Sequence, residues 1–285
     1  MDRVTLSAEV LWQYRRFTRY NSPYAAHDEG RAIDLYPEPG TAPSPVAGEV
    51  RDVRYVDAPP KPYAADRDAL LVVDTGEYLA RILHVDPAVE PGDTVAVGDP
   101  LGETIRAGFF APWVPDHLHL GFRPHGADPD RASGSLPLEA AVDVEPLSWD
   151  GTGTVVETGE TWARLDSPAH PDPGEYFVGL GSGGGDVLTG KRRSGETGIL
   201  DGGFPHYEHG GLLGGGDRAE IAGRRVGSVA EAGGERVAWD DVTVTANGDP
   251  VTGIALFCAR DRFGIKLVGE GVDLAVGERV TVDVE

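Results

Sequence analysis

Turn-forming residues interrupt this chain at short intervals, and they limit the folds open to it more than any other feature. The 285 residues include 40 glycines and 22 prolines. Short apolar runs bounded by such residues favour strands joined by turns over long helices. We therefore predict a mainly β protein, with an antiparallel β domain followed by a second β-rich domain.

The length allows two ordinary domains with buried cores. Residues 123–146 are rich in proline, aspartate and alanine. This composition is typical of a connection, so we predict a first domain over residues 1–130, a linker over 131–146 and a second domain over 147–285. Residues 179–185 are rich in glycine without a Gly-Lys-Ser/Thr in phosphate-loop register, and we predict a loop there.

The charge of the chain excludes one class of partner. The formal net charge is -22, and lysine occurs only as Lys61, Lys191 and Lys266. Nucleic-acid binding needs clustered basic residues, so we expect no nucleic-acid partner. An acidic, lysine-poor surface is typical of a halophilic protein, because high salt screens its self-repulsion. Unfolding as salt is lowered would support that hypothesis.

The sequence gives no sign of export or membrane insertion. No apolar run approaches the roughly 20 residues of a membrane-spanning helix. Arg15, Arg16 and Arg19 interrupt the apolar residues near the N-terminus, unlike the core of a secretory signal. Cys258 is the single cysteine, which excludes an intrachain disulfide. We expect a cytoplasmic protein of unknown oligomeric state.

Two histidines in a strand-like run are the first candidates for a metal site. His117 and His119 are separated by one residue, so in a strand they point to the same face. Histidine is the commonest protein ligand for zinc. A strand with two partly exposed histidines is the alternative, and the motif alone does not decide.

Two further polar residues occur in predicted strands upstream. Asp34 alternates with Ile33 and Leu35, which places a carboxylate on a strand whose other face is apolar. His84 ends the second arm of a hairpin that turns at residues 75–77, on the face of Ile82. A lone histidine at such a position is more often a buried core residue than a catalytic one.

These pieces, in this order, resemble the lysostaphin-type (LytM-like) zinc metalloendopeptidases. The resemblance lies in residues 32–50, in Leu83-His84-Val85, in the Gly-Asp turns of residues 89–102, and in His117-Leu118-His119. It implies a duplicated-hybrid-motif β fold for the first domain. It also implies a zinc-dependent hydrolase that cuts a small-residue or cell-wall-like peptide substrate.

The resemblance implies roles for four residues. Asp34 and His119 would be zinc ligands, and His84 and His117 would be the catalytic pair. Zinc held by three protein groups keeps a position open for water and lowers its pKa towards about 7. Two further histidines can orient that water, accept its proton and hydrogen-bond the developing oxyanion.

The sequence departs from the family pattern at the first ligand. The family has a histidine four residues before the aspartate, where this chain has Gly30. The nearest candidate is His27, and an odd separation places it on the opposite face of an unbroken strand from Asp34. Either a turn or bulge near Gly30 makes His27 the third zinc ligand, or the site has lost a ligand.

Other functions compete with the endopeptidase. A catalytically inactive family member would act as a peptide or glycan binding module. A phosphotransfer carrier would use two histidines but needs neither Asp34 nor His119, and a biotinyl or lipoyl carrier needs a lysine at a hairpin tip that this chain lacks.

The remaining histidines and the cysteine are expected to have structural positions. His125 and His170 have polar and turn-forming neighbours, which predicts surface residues. His206 and His209 lie between glycine pairs, which favours an exposed loop over a second metal site. Cys258 follows an apolar run and is expected to be a buried hydrophobe.

Overall fold

The computed structural model describes residues 3–183 and 197–285, and strands dominate it. Its helices, α1 (Ala8–Leu11) and α2 (Ala25–Asp28), have four residues each. The prediction of a mainly β protein is confirmed. None of the described helices is long and apolar enough to cross a membrane. The loop predicted over residues 179–185 is wrong for its first two residues, which end a strand (Phe177–Leu180), and Gly184 and Gly185 lie outside the described residues.

The described part of the chain divides into two compact units. The first consists of Met1–Phe17 and Arg31–Val142, and the second of Thr18–Gly30 and Asp143–Glu285. The strands of the first half are β1 (Val4–Ser7), β2 (Arg16–Thr18), β3 (Ala32–Tyr36), β4 (Gly48–Val56), β5 (Asp68–Asp74), β6 (Tyr78–Leu83), β7 (Val85–Pro87), β8 (Thr94–Val95), β9 (Gly102–Thr104), β10 (Leu118–Pro124) and β11 (Leu138–Ala141).

An antiparallel sheet in the order β3-β10-β6-β5-β4-β8 is the framework of the first unit. Strands β5 and β6 form the predicted hairpin, and Thr75 N–H donates to the Tyr78 carbonyl across its turn at 2.9 Å. Strand β7 pairs with β9, and β1 pairs in parallel with β11.

Strand alternation places a row of apolar side chains on one face of this sheet. Ile33, Leu120, Ile82 and Leu71 are successive cross-strand partners on β3, β10, β6 and β5, and each is 0% exposed. One residue further along β3 and one residue back along β10, Asp34 and His119 point to the other face. Burying the apolar row therefore fixes the register that makes Asp34 and His119 partners.

The strands of the second half are β12 (Val144–Leu147), β13 (Thr152–Gly159), β14 (Trp162–Leu165), β15 (Phe177–Leu180), β16 (Ile199–Phe204), β17 (His209–Leu213), β18 (Arg218–Ile221), β19 (Arg224–Val229), β20 (Arg236–Trp239), β21 (Val244–Ala246), β22 (Asp249–Val251), β23 (Gly253–Leu256), β24 (Cys258–Ala259), β25 (Lys266–Val268) and β26 (Arg279–Val284). Within its described residues the second unit contains a twelve-stranded antiparallel sheet, in the order β18-β19-β20-β17-β16-β23-β25-β14-β13-β26-β21-β22. An apolar cluster of this unit includes Leu165, Phe204, Ile254 and Leu267.

The expectation of an exposed loop around His206 and His209 holds only for the turn of residues 205–208, where His206 is partly buried. His209 begins β17, and the flanking glycines lie inside buried strands. A Cβ on Gly211 would come within 2.3 Å of Tyr20, and one on Gly210 within 2.0 Å of Trp239. These glycines leave room for aromatic rings and do not mark a turn.

The segment Thr18–Gly30 is held to the rest of the second unit by polar contacts. The carboxylate of Asp201, which is fully buried, accepts from the Thr18 hydroxyl and from the Arg19 backbone N–H. The Arg19 guanidinium donates to Glu235 at 2.6 Å. Charge-assisted hydrogen bonds of this kind are stronger than neutral ones, so they restrain the segment that carries His27.

Asp28 provides a further attachment of the same segment. Its carboxylate lies 2.6 Å from His209 Nδ1 and 2.6 Å from Arg236 Nη2. Asp28 directly follows His27, so these contacts restrain the backbone at that histidine.

Candidate metal and catalytic site

Asp34 and His119 meet because the register of β3 and β10 makes them direct cross-strand partners. The Asp34 carboxylate is 3% exposed, and its Oδ1 lies 3.2 Å from His119 Nδ1. Two ligands of a tetrahedral zinc ion, each about 2.0–2.1 Å from the metal, are themselves about 3.3 Å apart. The pair therefore has the separation of two ligands of one ion.

His117 also reaches Asp34, from the residue just before β10. Its Nε2 lies 3.4 Å from Asp34 Oδ2, and its Nδ1 lies 2.9 Å from the Pro115 carbonyl oxygen. The Pro115 carbonyl and the Asp34 carboxylate both accept hydrogen bonds, so each ring nitrogen of His117 faces an acceptor. The His117 ring stacks on Phe110, with centroids 4.3 Å apart and planes at 20°.

His84 lies between β6 and β7 with a left-handed backbone, at φ 70. Its ring centroid is 5.2 Å from that of His117 and 6.0 Å from that of His119. Its Nδ1 lies 2.6 Å from Oδ2 of Asp68, a fully buried carboxylate. The three imidazoles and Asp34 thus converge on one place in the first unit.

His27 lies near the end of α2, in the segment Thr18–Gly30, and is 2% exposed. Its Nδ1 lies 2.7 Å from the Arg19 carbonyl oxygen, which requires the proton on Nδ1 and the lone pair on Nε2. After α2, Gly30 adopts a φ of 62, the left-handed conformation that glycine accepts without strain. The chain between His27 and Asp34 is therefore a helical turn and a kink, not an unbroken strand.

Asp34 and His119 each offer a ligand atom within the first unit, an oxygen and a nitrogen 3.2 Å apart. With a second imidazole they form the donor set of a catalytic zinc ion with one position open. The Arg19 carbonyl next to His27 Nδ1 is the kind of outer partner that orients a zinc-binding imidazole. The residues present therefore fit zinc.

Sequence reasoning missed two residues at this site. Asp68 begins β5 and directly precedes the apolar run of that strand, but its partner His84 is 16 residues away. Phe110 belongs to the aromatic loop before β10, and its ring contacts both His117 and His84. Only the aromatic content of that loop signalled a contribution to the site.

Outside the site, His125 is exposed, His170 is buried, and His206 and His209 are partly buried. His125 has an exposed ring 3.0 Å from Asp74, as predicted for a surface residue. The same prediction is wrong for His170, which is 8% exposed with Nε2 2.9 Å from the Tyr176 carbonyl oxygen. Burial lowers the pKa of His206 to about 4. Cys258 is fully buried, and burial raises the pKa of its thiol well above the usual value.

The chain is similar to several solved structures, at low TM-scores and with partial coverage. The structure described as the identification and structural characterization of LytU matches at 24% identity and a TM-score of 0.27, over 35% of this chain and 64% of that one. The catalytic domain of the antimicrobial peptidase lysostaphin from Staphylococcus simulans matches at 19% identity and a TM-score of 0.31, over 43% of this chain and 90% of that one. The solution structure of lysostaphin matches at 13% identity and a TM-score of 0.28, over 82% of this chain and 96% of that one.

Two family models account for nearly the whole sequence. Residues 5–140 match the domain of unknown function (DUF8155) N-terminal domain, and residues 145–285 match the DUF8155 C-terminal domain. No family model of the lysostaphin-type peptidases matches, and no curated protein matches in sequence. The chain is therefore similar to the two DUF8155 domains, one after the other along the sequence.

Proposed function

We propose that this protein is a zinc-dependent endopeptidase. The observation that carries the proposal is the pair of donors from Asp34 and His119, a carboxylate oxygen and a ring nitrogen 3.2 Å apart on neighbouring strands. His84 and His117 lie beside this pair. A metal held by the pair and a third ligand, with two further imidazoles beside it, meets the requirement for hydrolysis by an activated water.

His27, Asp34 and His119 would hold the ion, each through one atom. A zinc ion bound there would supply a water of lowered pKa and polarise the carbonyl of the scissile bond. The Asp34 carboxylate compensates part of the positive charge. His27 and Asp34 are buried and His119 is partly buried, which lowers the local dielectric and strengthens these electrostatic interactions.

His84 and His117 have the positions of a proton acceptor and an oxyanion stabiliser. The Nδ1 atoms of both point at oxygen acceptors, Asp68 for His84 and the Pro115 carbonyl for His117. This leaves Nε2 of His84 to accept a proton, whereas Nε2 of His117 faces a second acceptor, Asp34, and would act on the substrate as a donor. We assign proton acceptance to His84, because a carboxylate partner stabilises the imidazolium that forms. His117 orients the water and hydrogen-bonds the developing oxyanion.

The substrate we propose is a peptide with small residues at the scissile bond. Phe110 lies against both catalytic imidazoles, with its ring 4.7 Å from that of His84 and 4.3 Å from that of His117. The loop of residues 106–115, which contains Phe110, therefore lies directly beside the reacting groups. Small substrate side chains would clash least with this loop. An oligoglycine peptide is accordingly the first substrate to test.

Zinc content and peptide cleavage test the proposal together. The full-length protein should retain about one zinc per chain after dialysis and cleave a fluorogenic oligoglycine peptide. His119→Ala should lose both properties. His125→Ala removes an exposed imidazole paired with Asp74 and should keep both. A folded wild type that neither binds zinc nor cleaves the peptide would contradict the proposal. That result would favour a peptide or glycan binding module.

A further inference from the structure

The carboxylate of Asp68 is fully buried, and two of its three hydrogen bonds are to His84. Oδ2 lies 2.6 Å from the ring Nδ1 of His84, and Oδ1 accepts the backbone N–H of His84 at 3.0 Å. The remaining donor is the backbone N–H of Ala69, 2.8 Å from Oδ1. Among the described residues, no lysine or arginine forms a salt bridge with Asp68.

A carboxylate this deeply buried is retained only where hydrogen bonds compensate its lost hydration. An ionised carboxylate can only accept hydrogen bonds, so its short contact requires the His84 proton on Nδ1. The same contact leaves the lone pair on Nε2. Asp68 therefore selects the tautomer of His84 that can accept a proton from substrate water.

The backbone of His84 needs support of its own. A left-handed conformation is uncommon for a residue with a side chain and is strained, and here φ is 70. The bond from the His84 N–H to Asp68 Oδ1 holds the backbone at this position. Regular alternation after Ile82 would instead direct the His84 side chain to the apolar face of the sheet.

We propose that Asp68 is a positioning residue of the catalytic site, which fixes the direction and the tautomer of His84. The inference rests on the proposed function, because it assigns His84 the role of proton acceptor. In the reaction His84 Nε2 takes one proton from the attacking water, and that proton passes to the leaving amine. Asp68 stays ionised throughout and transfers no proton.

The substitution Asp68→Asn tests this role with little change in volume. Its amide can still accept the two backbone N–H groups through oxygen, but its nitrogen then faces His84 Nδ1 as a donor. We expect His84 to change to the tautomer with the proton on Nε2. With oligoglycine as substrate, kcat should fall at least about a hundredfold, the scale of general-base catalysis. KM and zinc content should stay the same.

Asp74→Asn is the matched control. Asp74 ends the strand that Asp68 begins, and it also pairs with a histidine, His125, but at the exposed end of the hairpin. This variant should keep the kcat and the His84 tautomer of the wild type. Equal losses of kcat in the two variants would overturn the proposal.

Nitrogen NMR of the histidine rings decides the question without activity. In the zinc-free full-length protein labelled with ¹⁵N-histidine, His84 should show a protonated Nδ1 and an unprotonated Nε2. His84→Gln assigns its signals. A wild-type His84 with the proton on Nε2 would overturn the inference even if Asp68→Asn did not fold. A wild type that lacks zinc and activity contradicts the proposed function, whereas this spectrum still reports on Asp68.

Discussion

Asp34 and His119 are direct partners across antiparallel strands, with a carboxylate oxygen 3.2 Å from a ring nitrogen. Two regular strands hold them, so their separation depends on backbone hydrogen bonding and not on a loop. Sites built on strands keep ligand positions more accurately than sites on loops. We therefore expect the pair to bind metal without a large rearrangement.

Zinc should stabilise the wild type and not the Asp34→Asn variant. A ligand at a hundred times its Kd adds about 2.7 kcal/mol to the free energy of unfolding. The neutral amide is a poorer ligand and no longer compensates the charge of the ion. Thermal unfolding with and without zinc measures the difference. Asp99→Asn, at an exposed turn where Asp99 accepts the Ala96 N–H, should keep the zinc response.

Gly30→Ala should weaken zinc binding more than Gly40→Ala. Both glycines have a left-handed backbone, with φ 62 and 74, and alanine costs about 1–2 kcal/mol in that conformation. A Cβ on Gly30 would also lie 2.3 Å from the Tyr20 hydroxyl, whereas nothing lies within 4 Å of one on Gly40. The clash displaces the turn that follows His27. Zinc titration and thermal unfolding of the two variants measure the difference, and identical results would show that the turn does not position His27.

Phe110→Leu should reduce kcat while keeping most of the stability. The Phe110 ring is stacked on His117 and meets the His84 ring edge-on at 85°. Aromatic pairs of this kind contribute about 0.5–1.5 kcal/mol beyond the area they bury, so up to roughly a tenfold loss is expected. Phe110→Ala should in addition lose about 3–5 kcal/mol of stability, because it leaves a cavity. Cleavage kinetics and denaturant unfolding separate the two effects, and a leucine variant as active as the wild type would exclude ring packing from the mechanism.

Asp201 should make the protein less stable as pH rises from about 4 to about 6. Burial raises the pKa of this carboxyl from 3.8 to about 6, although the Thr18 hydroxyl and the Arg19 N–H oppose the shift. Between these values the unfolded chain has lost the proton that the folded chain keeps. The folded state is therefore favoured below pH 4, and this contribution, about 3 kcal/mol at most, is gone above pH 6.

The comparison with Asp201→Asn isolates that contribution. His206 titrates over an overlapping range with the opposite sign, because its pKa of about 4 makes the folded state lose stability as pH falls. The wild-type curve alone thus contains both effects. The quantity to follow is the free energy of unfolding of the wild type minus that of Asp201→Asn, measured with urea from pH 4 to pH 7. It should fall as pH rises and become constant above pH 6. A difference that is flat over the whole range would mean that Asp201 has an ordinary pKa.

The positions of Asp34 and His119 could be predicted from the sequence, whereas that of His84 could not. Asp34 and His119 lie in regular strands, where alternation determines the face of each side chain. Alternation also predicted His84 on the face of Ile82, but its left-handed φ of 70 turns the ring towards His117 and His119. Histidine gives no signal of such a conformation, which depends on a buried carboxylate elsewhere in the chain.

His27 shows a related difference between pattern and structure. Its odd separation from Asp34 suggested a turn or bulge near Gly30, and the structure has a one-turn helix followed by a left-handed glycine. The glycine could be identified from the sequence, and the helix could not. Glycine was misleading in residues 199–213, where it lines buried strands against aromatic rings.

The contacts of the segment Thr18–Gly30 determine what a fragment of this protein would retain. The family boundary near residue 140 lies far from this segment in sequence, yet Asp201, Glu235 and Arg236 hold its Thr18, Arg19 and Asp28. A fragment ending at that boundary would keep His27 but lose every one of these partners. Expression of the first half alone would therefore report on a segment without its contacts and not on the intact protein.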